Sequence, residues 1–150
     1  MTIATIKKFP RKVKEIENLF IPLKDGTKLA ARMWLPIDAT KKNVPALLEY
    51  LPYRKRDGTT TRDALTHPYM AGHGYACIRV DMRGNGDSDG LMRDEYTQQE
   101  QDDAVEVIDY WQHPVVLEFT QKMLSTDDAF YTKVFTGEEL NIWREYRKQT

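Results

Sequence analysis

Ser88 stands in Gly86-Asp87-Ser88-Asp89-Gly90, a literal glycine-x-serine-x-glycine, and Asp109 and His113 follow it in the chain. These residue types could supply a serine nucleophile, its base and the carboxylate that orients the base. The spacing argues against that reading. A nucleophile of this kind sits on a tight turn directly at a strand end, whereas five residues, Met82 to Gly86, separate the strand-ending Asp81 from Asp87-Ser88. The two flanking carboxylates would also oppose an alkoxide at Ser88 by like-charge repulsion. Ser88 therefore reads as a turn residue bonding local backbone, with Arg83 bracing the turn between Asp81 and Asp87.

The remaining polar candidates are weaker. His113 ends a helix, where an imidazolium complements the dipole. His67 before Pro68 and His73 between Gly72 and Gly74 fall in turn contexts, without an evident serine partner. Three histidines with scattered carboxylates lack zinc-ligand spacing, so no metal is expected. The glycines at 84, 86 and 90 follow a strand without opening a helix, which argues against phosphate-loop and dinucleotide chemistry. Ser125 has no flanking glycines and reads as a helix N-cap.

The elements that would position these residues are legible in part. Glu17 to Leu23 and Lys28 to Leu35 are apolar-rich runs joined by Lys24-Asp25-Gly26-Thr27, where Asp-Gly supplies the turn of a β-hairpin. Pro36 ends the second strand, and Asp38 to Asn43 reads as a polar loop. Ala46 to Leu51 and Tyr75 to Val80 are short apolar runs without alternation, as in strands buried on both faces of a parallel sheet. A helix over Arg62 to Gly72 would make the crossover between them. Thr97-Gln98-Gln99-Glu100 matches a capping box opening a helix whose apolar face is Ala104, Val107, Ile108 and Trp111 and which Pro114 ends. Beyond it, Val116, Phe119, Met123 and Leu124 recur at helical spacing, and Leu140, Trp143 and Arg147 share a last face, predicting a mostly helical tail.

Three segments in order, Asp25-Gly26-Thr27-Lys28-Leu29 with Trp34-Leu35-Pro36, Pro52-Tyr53-Arg54-Lys55, and Asp81 to Gly90, resemble the opening of the cocaine-esterase and X-Pro dipeptidyl-peptidase family of serine α/β-hydrolases. The resemblance covers about Glu15 to Pro114. It implies an α/β fold: a partial α/β-hydrolase sheet made of the hairpin plus two parallel strands with their crossover helix. Residues 1–14 are then a basic, flexible N-terminus, 15–114 the N-terminal portion of the hydrolase domain, and 115–150 a helical tail that departs from the family. The resemblance also implies acyl transfer on esters or amides without a cofactor, with Tyr53 as a hydroxyl donor of the oxyanion hole. No nucleophile elbow follows Pro114, so the nucleophile, acid and base are expected to be missing and the chain inactive alone. The alternative is a noncatalytic binding or assembly module, with Trp143, Tyr146, Arg144, Arg147 and Lys148 as its contact face.

Composition narrows the partners. In a chain of 150 residues, 41% hydrophobic with 30% charged residues is the make-up of a folded domain. With 22 basic against 23 acidic residues, no global field favours nucleic acid or an anionic membrane. Lys7, Lys8, Arg11, Lys12 and Lys14 form a local basic cluster that reads as a solvated end. No run approaches a membrane span, Met1 to Pro10 has no secretory h-region, and the lone Cys77 reads as a buried thiol, so the cytoplasm is expected. Without a fifth strand, the strand Ala46 to Leu51 would present an open edge inviting self-association or pairing with the remainder of a hydrolase.

Overall fold

The computed structural model describes residues 8–40 and 43–112. Strands β1 (Val13–Pro22) and β2 (Lys28–Pro36) precede a short 3-10 turn, Ile37–Thr40. Strand β3 (Ala46–Leu51), helix α1 (Thr60–Gly72), strand β4 (Ala76–Asp81) and helix α2 (Gln98–Gln112) follow. The sheet runs β1-β2-β4-β3. β2 pairs antiparallel with both β1 and β4, and β3 with β4 is the parallel pair expected of a crossover unit.

The hairpin forms because Gly26 adopts φ +92 without steric cost, while the Asp25 carboxylate accepts from the Thr27 N–H at 2.8 Å. Alternation along β2 and β4 then sorts the core into two layers. Leu29, Ala31, Met33, Ile78 and Val80 share one cluster with Ile16, Ile21 and Val107 of α2. Trp34 and Cys77 face the other way, against Ala71 of α1. All six residues of β4 are buried, and fully burying one such aliphatic side chain contributes roughly 1.5–3 kcal/mol.

Several expectations change. β3 is not buried on both faces: Ala46 and Leu47 are exposed, and among the described residues this strand pairs only with β4. His67 is not in a turn but buried within α1, which continues through Pro68. The proline removes only one helical donor, and the residue four positions before it, Ala64, lies on the exposed side. On α2, Val107 is buried but Ile108 is 43% exposed, because Asp103 and Val107 form the inward stripe. The basic N-terminal stretch is held from Phe9 onward. The Phe9 ring meets Tyr69 edge-on, the Arg11 N–H donates to the Gly72 carbonyl, and β1 starts at Val13. The tail expected to be helical, His113 and Ser125 lie outside the described residues.

Candidate active site

The C-terminal ends of β3 and β4 carry the residues with chemical potential. Tyr53 follows β3 by two positions, and its side chain is 60% exposed. Its backbone is fixed from below. Arg79 of β4 donates from Nη2 to the Tyr53 carbonyl at 2.5 Å, and the Lys55 N–H donates to Asp81 Oδ1 at 2.5 Å. Two inward-facing side chains of one strand thus clamp the loop on both sides of Arg54, leaving the phenol free at the rim.

Lys55 is the residue that the sequence reading passed over. Its ammonium is wholly buried, 3.0 Å from Asp81 Oδ2 and 2.6 Å from Asp87 Oδ2. The cation between Asp81 and Asp87 is therefore Lys55 and not Arg83, which corrects the expected brace. The Lys55 hydrogen bond holds the Asp87 carboxyl below its ordinary range, against the opposing push of burial. Asp81 also accepts from the Asp87 N–H at 3.0 Å. Gly86 makes this possible: at φ +56, a Cβ there would lie 2.1 Å from Asp81 Oδ2. The only trace of Lys55 in the sequence was its place in the Pro52-Tyr53-Arg54-Lys55 segment.

Arg83 instead ties the hairpin turn to α2. It grips Asp103 with two bonds, at 2.7 and 2.8 Å, and reaches Asp25 at 2.8 Å and Thr27 Oγ1 at 2.6 Å. The hydrogen bond to Asp103 comes first in pushing the guanidinium further up, against burial. At Asp25, burial pushes the carboxyl upward, but the Thr27 N–H and Arg83 together hold it below its usual range. The capping box forms in altered shape: the Glu100 N–H donates to Thr97 Oγ1 at 3.3 Å, while the Glu100 carboxylate accepts from the Tyr96 N–H at 2.9 Å.

Ser88 is committed on both sides. Its hydroxyl donates to the Asp81 carbonyl at 2.6 Å and accepts the Ala30 N–H at 2.8 Å, stitching the loop to β2. Asp109, which follows Ser88 in triad order, lies exposed on α2. His67 packs under α1 and His73 caps that helix, so the structure brings neither to Ser88. A cleft of about 580 Å³ opens around Arg83 and the start of α2, lined by Tyr50, Met82, Leu91, Asp94 and Gln99 among others but not by Tyr53 or Lys55. The Tyr50 hydroxyl is buried there without a hydrogen-bond partner, and burial, followed by Asp103 and Glu100, raises its pKa. Among the described residues no cluster of His, Cys, Asp and Glu is arranged to hold a metal ion, and no helix is long and apolar enough to cross a membrane.

A hairpin leading into a parallel β-α-β unit, with its loops gathered at the carboxyl ends of the strands, is a partial α/β fold of the hydrolase type. A family model for the X-Pro dipeptidyl-peptidase (S15 family) matches residues 25–127, and the chain belongs to that family. The match runs past Pro114 into the segment expected to depart. Solved structures agree on the fold. An α-amino acid ester hydrolase labelled with selenomethionine matches at TM-score 0.52 and 24% identity, covering 78% of this chain and 21% of its own. A hypothetical protein from Pseudomonas aeruginosa matches at TM-score 0.51 and 20% identity, over 76% of this chain and 37% of its own. A CocE/NonD family hydrolase from Staphylococcus aureus matches at TM-score 0.50 and 18% identity, over 64% and 20%. The chain thus spans between a fifth and somewhat more than a third of the length of these relatives. No curated protein matches it.

Proposed function

We propose that this chain supplies the oxyanion-side portion of a cytoplasmic serine hydrolase acting on ester or amide bonds. Tyr53 donates its hydroxyl to the carbonyl oxygen as negative charge develops there. The observation that carries the reading is the clamp on the Tyr53 loop by Arg79 and Asp81, within a segment matched by the S15 family model. An oxyanion donor acts by being held in place before the reaction, and a phenol on a pinned loop meets that requirement. On this reading the nucleophile, acid and base lie outside the described residues, because Ser88 Oγ is spent on backbone groups and no hydrogen bond among the described residues joins a hydroxyl to an imidazole. The 150-residue chain should therefore hydrolyse p-nitrophenyl esters no faster than buffer does, and Ser88→Ala should change nothing. In a chimera that adds the elbow-bearing part of a family member, Tyr53→Phe should lower kcat about 100- to 1,000-fold, the usual effect of losing one oxyanion donor. Turnover by the chain alone that is lost on Ser88→Ala would overturn the proposal.

A noncatalytic assembly module is the second reading, and the exposed start of β3 favours it. Ala46 and Leu47 lie open on a strand with one described neighbour. An apolar strand edge of this kind recruits another strand. Either residues 113–150 cover it or another chain does, a second copy or the remainder of a hydrolase. Mass measurement by light scattering after size exclusion separates these: a dilute monomer whose tail resists protease supports cover from within, and a concentration-dependent dimer supports self-association.

A further inference from the structure

The packing around His67 leads beyond acyl hydrolysis. The imidazole is buried between α1 and the sheet and stacks on Trp34 of β2, with ring centroids 4.6 Å apart and planes at 16°. Its Nδ1 lies 3.2 Å from the Asp63 carbonyl oxygen, which can only accept. Nδ1 therefore carries a hydrogen whenever this bond is made, and in the neutral ring Nε2 is bare. The Glu49 carboxylate of β3 lies 3.8 Å from Nε2. A lone pair facing an anion is an unfavourable pairing, and one proton turns it into a charge-assisted contact.

The other charged and titratable groups around the ring come from every packed element. α1 contributes Asp63, 4.0 Å from Nδ1, and Arg62. β4 contributes Arg79 and the Cys77 thiol, which burial first and Glu49 second push up to about 11, so it stays protonated. β2 contributes Arg32, whose guanidinium lies 4.8 Å from the Trp34 ring. Glu49 is shared among these groups, pairing with Arg62 at 2.5 Å and lying 3.4 Å from Arg79 Nη1. Arg79 in turn holds the Tyr53 carbonyl and Thr59 Oγ1.

We propose that His67 is a proton-operated latch. Proton uptake at Nε2 draws the Glu49 carboxylate toward α1 and away from Arg79, and Arg79 passes the change to the loop that carries Tyr53. The latch is a property of this ionic cluster and stands whether or not Tyr53 serves an oxyanion. Nitrogen-15 NMR of the full chain across pH tests it, with the ring signals assigned by their loss in His67→Gln. The neutral ring should carry its hydrogen on Nδ1, and the amide shifts of Tyr53 and Lys55 should follow the ring's titration curve. Glu49→Gln should move that curve to lower pH and flatten the amide response. A neutral ring protonated on Nε2, loop amides indifferent to the ring, or a curve unmoved by Glu49→Gln would each overturn the latch. The wild-type titration alone decides the first two points, with signals assigned through the backbone, should His67→Gln fail to fold.

Discussion

Replacing Lys55 with methionine keeps most of the side-chain volume but removes the ammonium that sits between Asp81 and Asp87. Both Lys55 and Asp81 are buried, with side-chain exposures of 0% and 1%. Removing one partner of a buried ion pair costs about 3–5 kcal/mol, mostly because the other charge is left uncompensated. Asp81 would keep the backbone N–H bonds of positions 55 and 87, which places Lys55→Met toward the lower end, at about 3 kcal/mol. Against a total of about 5–15 kcal/mol for a domain, that loss is large. Removing both charges should hurt less, since neutral groups of similar size leave no buried ion behind. Urea unfolding of Lys55→Met, Asp81→Asn and the double variant measures this directly. The double variant should be more stable than Lys55→Met alone. A loss below about 1 kcal/mol for Lys55→Met, or strictly additive losses in the double, would refute a buried pair that organises the site.

Two further outcomes follow from the same loop. Gly86→Ala should destabilise the fold by about 1–3 kcal/mol in urea unfolding, since the new Cβ meets Asp81 Oδ2 and the residue must keep a positive φ. A neutral effect would mean that the loop moves freely. The second concerns acid. Asp87 and Asp25 both bind protons more weakly folded than unfolded. Each therefore stabilises the fold above the ordinary carboxylate value of about 4, and that contribution fades as pH falls through the depressed folded value. With side-chain exposures of 41% and 50% the contributions are small and screened by salt. The stability gap between wild type and Asp87→Asn should shrink as pH drops from 7 to 2; a gap that widens would contradict the Lys55 pairing.

The hairpin, β3, β4 and the start of α2 could be read from sequence because each announces itself locally. Asp25-Gly26 makes the turn, short apolar runs mark the strands, and Thr97 to Glu100 opens the helix. What local pattern does not carry is which charge meets which across a fold. Lys55 lies 26 and 32 positions from Asp81 and Asp87, and nothing in a single sequence distinguishes it from Arg83 as their partner. Helical spacing likewise selected Ile108 as core, but the Arg83–Asp103 bonds hold Asp103 on the inward side, so Val107 is buried and Ile108 is exposed. His67 fell within the helix expected over Arg62 to Gly72, while its place before Pro68 suggested a turn, a preference that packing against Trp34 outweighs.

On the proposed function, Tyr53 belongs to an acyl-transfer site whose nucleophile comes from sequence beyond Ser88 and Ser125. Incubating the full 150-residue chain with a fluorophosphonate probe, followed by peptide mass spectrometry, tests that claim most directly. Neither of the two serines, Ser88 and Ser125, should be labelled under conditions that label an intact serine hydrolase completely. A stoichiometric adduct on either serine would contradict it.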